Sequence, residues 1–157
     1  MPEAQGIGFP THAYVPGRTD RHPEGAFSAL RGTVRDGDGP VQLAASAAWR
    51  HGLVWLQAGY FWEAHEMFEP VWMALPSDSA ERRFVQALIQ VANARLKLAM
   101  ARPSAALRLV GLARDLLSQC MTPDVERVMG CDLNVVLARL AQIEQQANLA
   151  LGTRADP

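Results

Sequence analysis

Between Tyr60 and Trp72 the chain reads Tyr-Phe-Trp-Glu-Ala-His-Glu-Met-Phe-Glu-Pro-Val-Trp, with three carboxylates and a histidine in one short stretch. His65, Glu69 and Trp72 follow the spacing H-x-x-x-E-x-x-W, which sets their side chains on one side of a helix. A histidine and a glutamate four residues apart are candidates for two kinds of chemistry. They can pass a proton between them, or they can hold one divalent cation. Two ligands do not complete a shell, so a metal would draw on Glu66 or Glu63, or on His22 or His12 from elsewhere in the chain. A cation held that way would activate water for hydrolysis. H-E-x-x-H is absent, because Glu69 stands where the second histidine would be. No nucleophile or oxyanion donor is apparent beside the pair, so metal-free acid–base catalysis has less support.

Such a string needs a helix to carry it, spanning about Tyr60 to Leu75. Advancing by 100° per residue puts Phe61, Phe68, Trp72 and Leu75 on one arc, the expected core face. His65 and Glu69 fall at its edge, flanked by Trp62. Glu63, Glu66, Met67 and Pro70 fall on the other side, which predicts that Glu63 and Glu66 are exposed. Pro70 should kink or shorten the helix. On the next helix Gln86, Gln90, Asn93 and Lys97 form a single polar stripe opposite Phe84, Leu88, Val91 and Ala99. Amides both donate and accept, so this stripe suits a half-buried network. The expected site is therefore the face between these two helices, with His65, Glu69, Trp72, Gln86 and Gln90 as its residues. His65 and Glu69 are expected to be mostly buried and bonded to each other or to the amides.

The remaining elements follow from punctuation. Residues 1–39 hold seven of the chain's twelve glycines and four of its ten prolines, without helical periodicity. They read as an extended arm that docks on the body through Phe9, Tyr14 and Phe27. Residues 40–157 read as one domain. A first helix starts at Pro40 and ends at Gly59. Asp78 with Glu81 resembles a capping box before a third helix to about Ala101. Ser104 is a candidate cap for a fourth, to about Met121. Thr122-Pro123-Asp124 suggests a short helical turn ending at Gly130, and Asp132 caps the last helix. The fold class is all-α, a compact antiparallel bundle of about five helices with an extended N-terminal arm.

The signature string, together with Phe84-Val85-Gln86-Ala87-Leu88-Ile89-Gln90, resembles the domain of unknown function 309 family, a group of small all-helical proteins. The likeness runs from about Leu53 to Ser118. Trp62 stands where the family has a phenylalanine, and Ala87 where it has a glycine. The resemblance implies a helical fold. It also implies a candidate metal-dependent hydrolase, since members are sometimes given that label on the strength of their His and Glu residues. His12 to Arg18 and His22-Pro23 look like an extension found in longer members.

Bulk composition narrows the rest. A net charge of −1 with scattered arginines offers no field for nucleic acid. No apolar run is long enough to span a membrane, and no secretory h-region follows Glu3. Cys120 and Cys131 fit neither a zinc pattern nor a disulfide framework, which points to reduced thiols in a cytoplasmic protein. Three functional readings stand open. The first is a polar network or small-ligand pocket between two helices, with the arm as lid and Tyr14, Arg18 and His22 in it. Arginine there would favour an anionic ligand. The second is a hydrolase using a divalent metal on His65, Glu69, Glu66 and His22, with His65 and Glu69 as its catalytic residues. The third is an interaction module, with a homo-oligomer among the options, built on the four tryptophans between Trp49 and Trp72.

Overall fold

The computed structural model describes residues 7–155. In chain order its elements are α1 Ser28–Arg31, α2 Pro40–Ala45, α3 Ala47–Ala58, α4 Phe61–Ala74, α5 Ala80–Ala99, α6 Pro103–Cys120, β1 Arg127–Val128, β2 Cys131–Asp132 and α7 Leu133–Ala155. Each long helix packs on the next, α3 on α4, α4 on α5, α5 on α6 and α6 on α7. Links this short make α3 to α6 antiparallel neighbours, so the protein is an all-α bundle with one small hairpin. Among the described residues no helix is long and apolar enough to cross a membrane.

Four local expectations are corrected. The helix expected over 40–58 breaks at Ser46, whose backbone is extended at ψ 149°. The Ser46 hydroxyl donates to the Leu43 carbonyl at 2.7 Å and accepts the Trp49 N–H at 3.2 Å. The serine thus closes α2 and caps α3, which a helix-wheel stripe cannot reveal. The N-cap of α5 is Ser79, which accepts from the Arg82 N–H at 3.1 Å, and not Asp78. The start of α6 is set by Pro103 in its first turn, with no side-chain cap. The helical turn expected before Gly130 is instead the antiparallel pair β1–β2. Its loop is Met129-Gly130, with φ of 52° and 76°, and two successive left-handed residues close a tight hairpin. Asp132 does cap the last helix, its Oδ1 accepting the Asn134 N–H at 2.8 Å.

Trp49 lies at the centre of the core. It is 1 % exposed, lies against Phe68 and Phe84, and donates its indole N–H to the Met129 carbonyl at 3.1 Å. One side chain therefore ties α3, α4, α5 and the hairpin together. Beside it, α3 and α4 approach closely at Gly52. A Cβ there would stand 2.6 Å from the Phe68 ring, so the crossing needs glycine. Both cysteines are buried and free. Burial pushes the Cys131 thiol up to about 11 and raises Cys120 as well.

The core face of α4 is rotated from the expected arc. Ala64, Met67, Phe68 and Val71 are buried, at i, i+3, i+4 and i+7, while Phe61 and Trp72 are only half-buried. Leu75 is buried as expected. The largest departure is Glu63, expected in solvent and found fully buried. The wheel weighed the bundle alone, whereas the arm covers the opposite side of α4.

Pro70 does not end α4, which continues to Ala74. A proline cannot donate to the carbonyl four residues back, so the Glu66 carbonyl is left without that partner. Arg31 supplies one. Its Nη1 donates to the Glu66 carbonyl at 2.5 Å and to Glu66 Oε2 at 3.1 Å. The last residue of α1 is thereby fixed to the side of α4. The arm makes further ties through the Trp55 indole N–H, which donates to the Gly8 carbonyl at 2.8 Å, and through half-buried Tyr14 and Phe27. Phe9, expected to dock, rests beside Tyr60 yet stays 51 % exposed.

Candidate functional site

Two clusters of polar side chains lie along α4, on neighbouring faces. The first is the pair His65 and Glu69. His65 Nε2 lies 3.4 Å from Glu69 Oε2, and its Nδ1 lies 3.9 Å from Glu66 Oε1. Ligand atoms of His65, Glu66 and Glu69 fall within 4.8 Å of one another, a geometry that could hold an ion. The three side chains are a quarter to a third exposed rather than buried. Their carboxylates already face a cation, since the Arg31 guanidinium lies 3.1 Å from Glu66 and 3.7 Å from Glu69. Gln86, Gln90 and Asn93 are half-buried on α5. Among the described residues no hydrogen bond joins them to His65 or Glu69. Trp72 is half-buried under the Arg82 guanidinium, 4.5 Å from its ring centre, and its buried indole N–H has no partner.

The second cluster was not foreseen from the sequence. Glu63 has no exposed surface, and its Oε2 accepts the Tyr14 backbone N–H at 2.8 Å. His22 Nε2 lies 2.6 Å from the same oxygen. The short contact is a second hydrogen bond to that oxygen. Burying a carboxylate is costly unless it is paired, and these two donors from the arm supply the pairing. The other oxygen, Oε1, is buried without a partner. His22 is held on three sides by rings, stacked on His12 at 4.4 Å and Trp62 at 5.9 Å, with Phe27 edge-on at 4.9 Å. His12 Nε2 is engaged by the Asp20 carbonyl at 2.6 Å. The expectation that His22 joins the His65 cluster therefore gives way to its pairing with Glu63.

Where the arm crosses α4 it leaves a cavity of about 640 Å³. Its lining includes the polar residues Arg21, Arg31, Tyr14, His22, Glu24, Ser28 and Glu66 and the aromatic residues Trp62 and Phe27. Arg21 lies over the Tyr14 ring, with Nε 3.3 Å from the Tyr14 hydroxyl. The expected arginine, Arg18, is exposed and lies outside the cavity wall. Its place is taken by Arg21 and Arg31. Tyr14 and His22 line the cavity, but Gln86, Gln90, Trp72, His65 and Glu69 do not. The sequence signal for this site was the density of Arg, His and Tyr in the arm. Glu63 carried no signal of its own beyond its place in the string.

Comparison with known proteins finds one family. The model of the family described as "Domain of unknown function (DUF309)" matches residues 49–109. No curated protein matches the chain, and no solved structure does. The matched stretch holds Trp62, Glu63 and Glu66 of the cavity, while Tyr14, Arg21, His22, Phe27 and Arg31 lie before it. The match covers the stretch from α3 through α5 into the start of α6, and that part of the chain is similar to the DUF309 family.

Proposed function

We propose that the cavity between the arm and α4 binds a small organic anion bearing a flat apolar group. The observation that carries this reading is a cavity lined both by two guanidiniums, Arg21 and Arg31, and by two aromatic rings, Trp62 and Phe27. Guanidinium forks bind carboxylates and sulfonates in a planar geometry, and aromatic rings supply apolar contact at low entropic cost. Arg31 already spends donors on Glu66, so Arg21 is the freer cation. Benzoate and benzenesulfonate are expected to raise the melting temperature, and neutral benzamide is not. In Arg21→Ala the affinity for benzoate should fall roughly tenfold or more, the loss of at least one charged hydrogen bond. Equal shifts in wild type and variant would remove the cavity as the site.

A second reading rests on the three ligand atoms of His65, Glu66 and Glu69. A divalent cation there would be held by two carboxylates and one imidazole, and would supply activated water for hydrolysis. Arg31 competes for the same carboxylates. Arg31→Ala should therefore tighten Zn²⁺ or Mn²⁺ binding, by about tenfold for one displaced charge–charge contact of this kind. Calorimetric titration of each ion into both proteins reads this directly. Weaker or unchanged binding in the variant rejects the ion site.

A further inference from the structure

We infer that a smaller cavity, where α3, α4, α5 and α7 meet, binds an inorganic oxyanion of the phosphate class through Arg95 and Arg139. It has a volume of about 120 Å³ and is lined by Leu56, Gln57, Phe61, Val91, Arg95 and Arg139. It shares no lining residue with the cavity under the arm, so it stands or falls apart from the benzoate pocket.

The observation that carries it is a pair of guanidiniums without an acceptor. The other half-buried arginines among the described residues each have one. Arg31 and Arg114 pair with Glu66 and Glu144, while Arg82 and Arg83 donate to the carbonyls of Leu75 and Asp78. Arg95 and Arg139 are half-buried too. Among the described residues neither has a hydrogen bond or an ion pair. They come from different helices, α5 and α7, yet line one cavity. Burial, and then the charge of Arg139, hold the Arg95 guanidinium below its ordinary pKa. Arginine does not shed its proton in response, so the site keeps two positive charges. Charges drawn out of bulk water without a partner are costly, and an anion between them offsets both.

The lining sets the class of anion. Guanidiniums donate in a fork that fits the oxygens of a phosphate. Gln57, at the exposed end, adds an amide donor. Two guanidiniums balance a dianion better than they balance one carboxylate. The cavity is well below the roughly 300 Å³ at which sites for larger ligands begin, so its occupant is the bare oxyanion. Once bound, that anion joins α7 to α5 through charge-assisted hydrogen bonds.

The test is titration of inorganic phosphate near neutral pH, with sodium chloride holding the ionic strength constant. The Nε–H signals of Arg95 and Arg139 in wild-type protein are expected to shift together and saturate. Arg95→Gln and Arg139→Gln should each weaken binding roughly tenfold or more, the loss of a charged hydrogen bond. With phosphate at a hundredfold its Kd, the melting temperature of wild type should rise by about 5–10 °C. The rise should be much smaller in either variant at the same concentration. An equal rise in wild type and both variants is the general effect of an excluded salt and overturns the inference. Signals of Arg95 and Arg139 that do not move in tens of millimolar phosphate overturn it as well, even if neither variant folds. Neither result touches the benzoate pocket, which has its own probe and its own variant.

Discussion

Glu63→Ala should lower the unfolding free energy by about 2–5 kcal/mol, the cost of leaving two hydrogen-bonding groups of the arm without their partner. At about 2–4 °C per kcal/mol for a chain of this size, the melting temperature falls on the order of 10 °C. The substitution acts on the two contacts that the arm makes with α4 here. It leaves the Tyr14 N–H and His22 Nε2 without their partner. Both then favour water over the surface of α4, and the arm loosens. Trypsin gives the local readout, since cleavage after Arg18 and Arg21 should quicken in the variant. His22→Ala should cost less than the sum when combined with Glu63→Ala, because both act on one contact. A variant that melts within about 1 kcal/mol of wild type, with the arm cleaved at the same rate, would show that the pair holds nothing.

The second large effect belongs to Trp49→Ala, expected to cost about 3–5 kcal/mol as a large-to-small change at a closed site. Its neighbours cannot collapse freely. Phe68 is pinned at the Gly52 crossing, and Phe84 is fully buried on α5. The same change leaves the Met129 carbonyl without the indole N–H, so Trp49→Phe should retain most of the packing and lose about 1–3 kcal/mol through that acceptor alone. Urea unfolding measures both, as a lower midpoint at unchanged slope. A loss under about 2 kcal/mol for the alanine variant would mean that the core closes over the gap, against the packing described.

The sequence displays the helices from α4 to α6 well, because each has a long apolar stripe and a Pro, Gly or Ser at its ends. It displays the family string for the same reason. What it hides depends on non-local partners. Ser46 looks like any polar residue in a helix until its hydroxyl is seen to bridge Leu43 and Trp49. The hairpin is set by two left-handed residues, one of them Met129, a type with no preference for that conformation. Glu63 looks like a solvated glutamate on a helix wheel, since a wheel records angles and not what arrives from residues 7–39. The same blindness directed the expected site to the α5 side of α4, whereas the cavity lies under the arm. Arg31 and Arg21 could be counted from sequence, but nothing in their spacing distinguished them from Arg18.

One defect in a helix has a wider consequence. Pro70 deprives α4 of an internal bond and so creates an acceptor that only an outside donor can fill. Arg31 fills it, and Arg31 is also part of the cavity wall. Local regularity and assembly of the pocket are therefore set against each other at a single carbonyl. A sequence drifting toward a better helix at residue 70 would gain in α4 and lose its grip on the arm. The bundle tolerates this frustration because its core lies on the other side of α4. The proline marks where the body was left incomplete for the arm to finish.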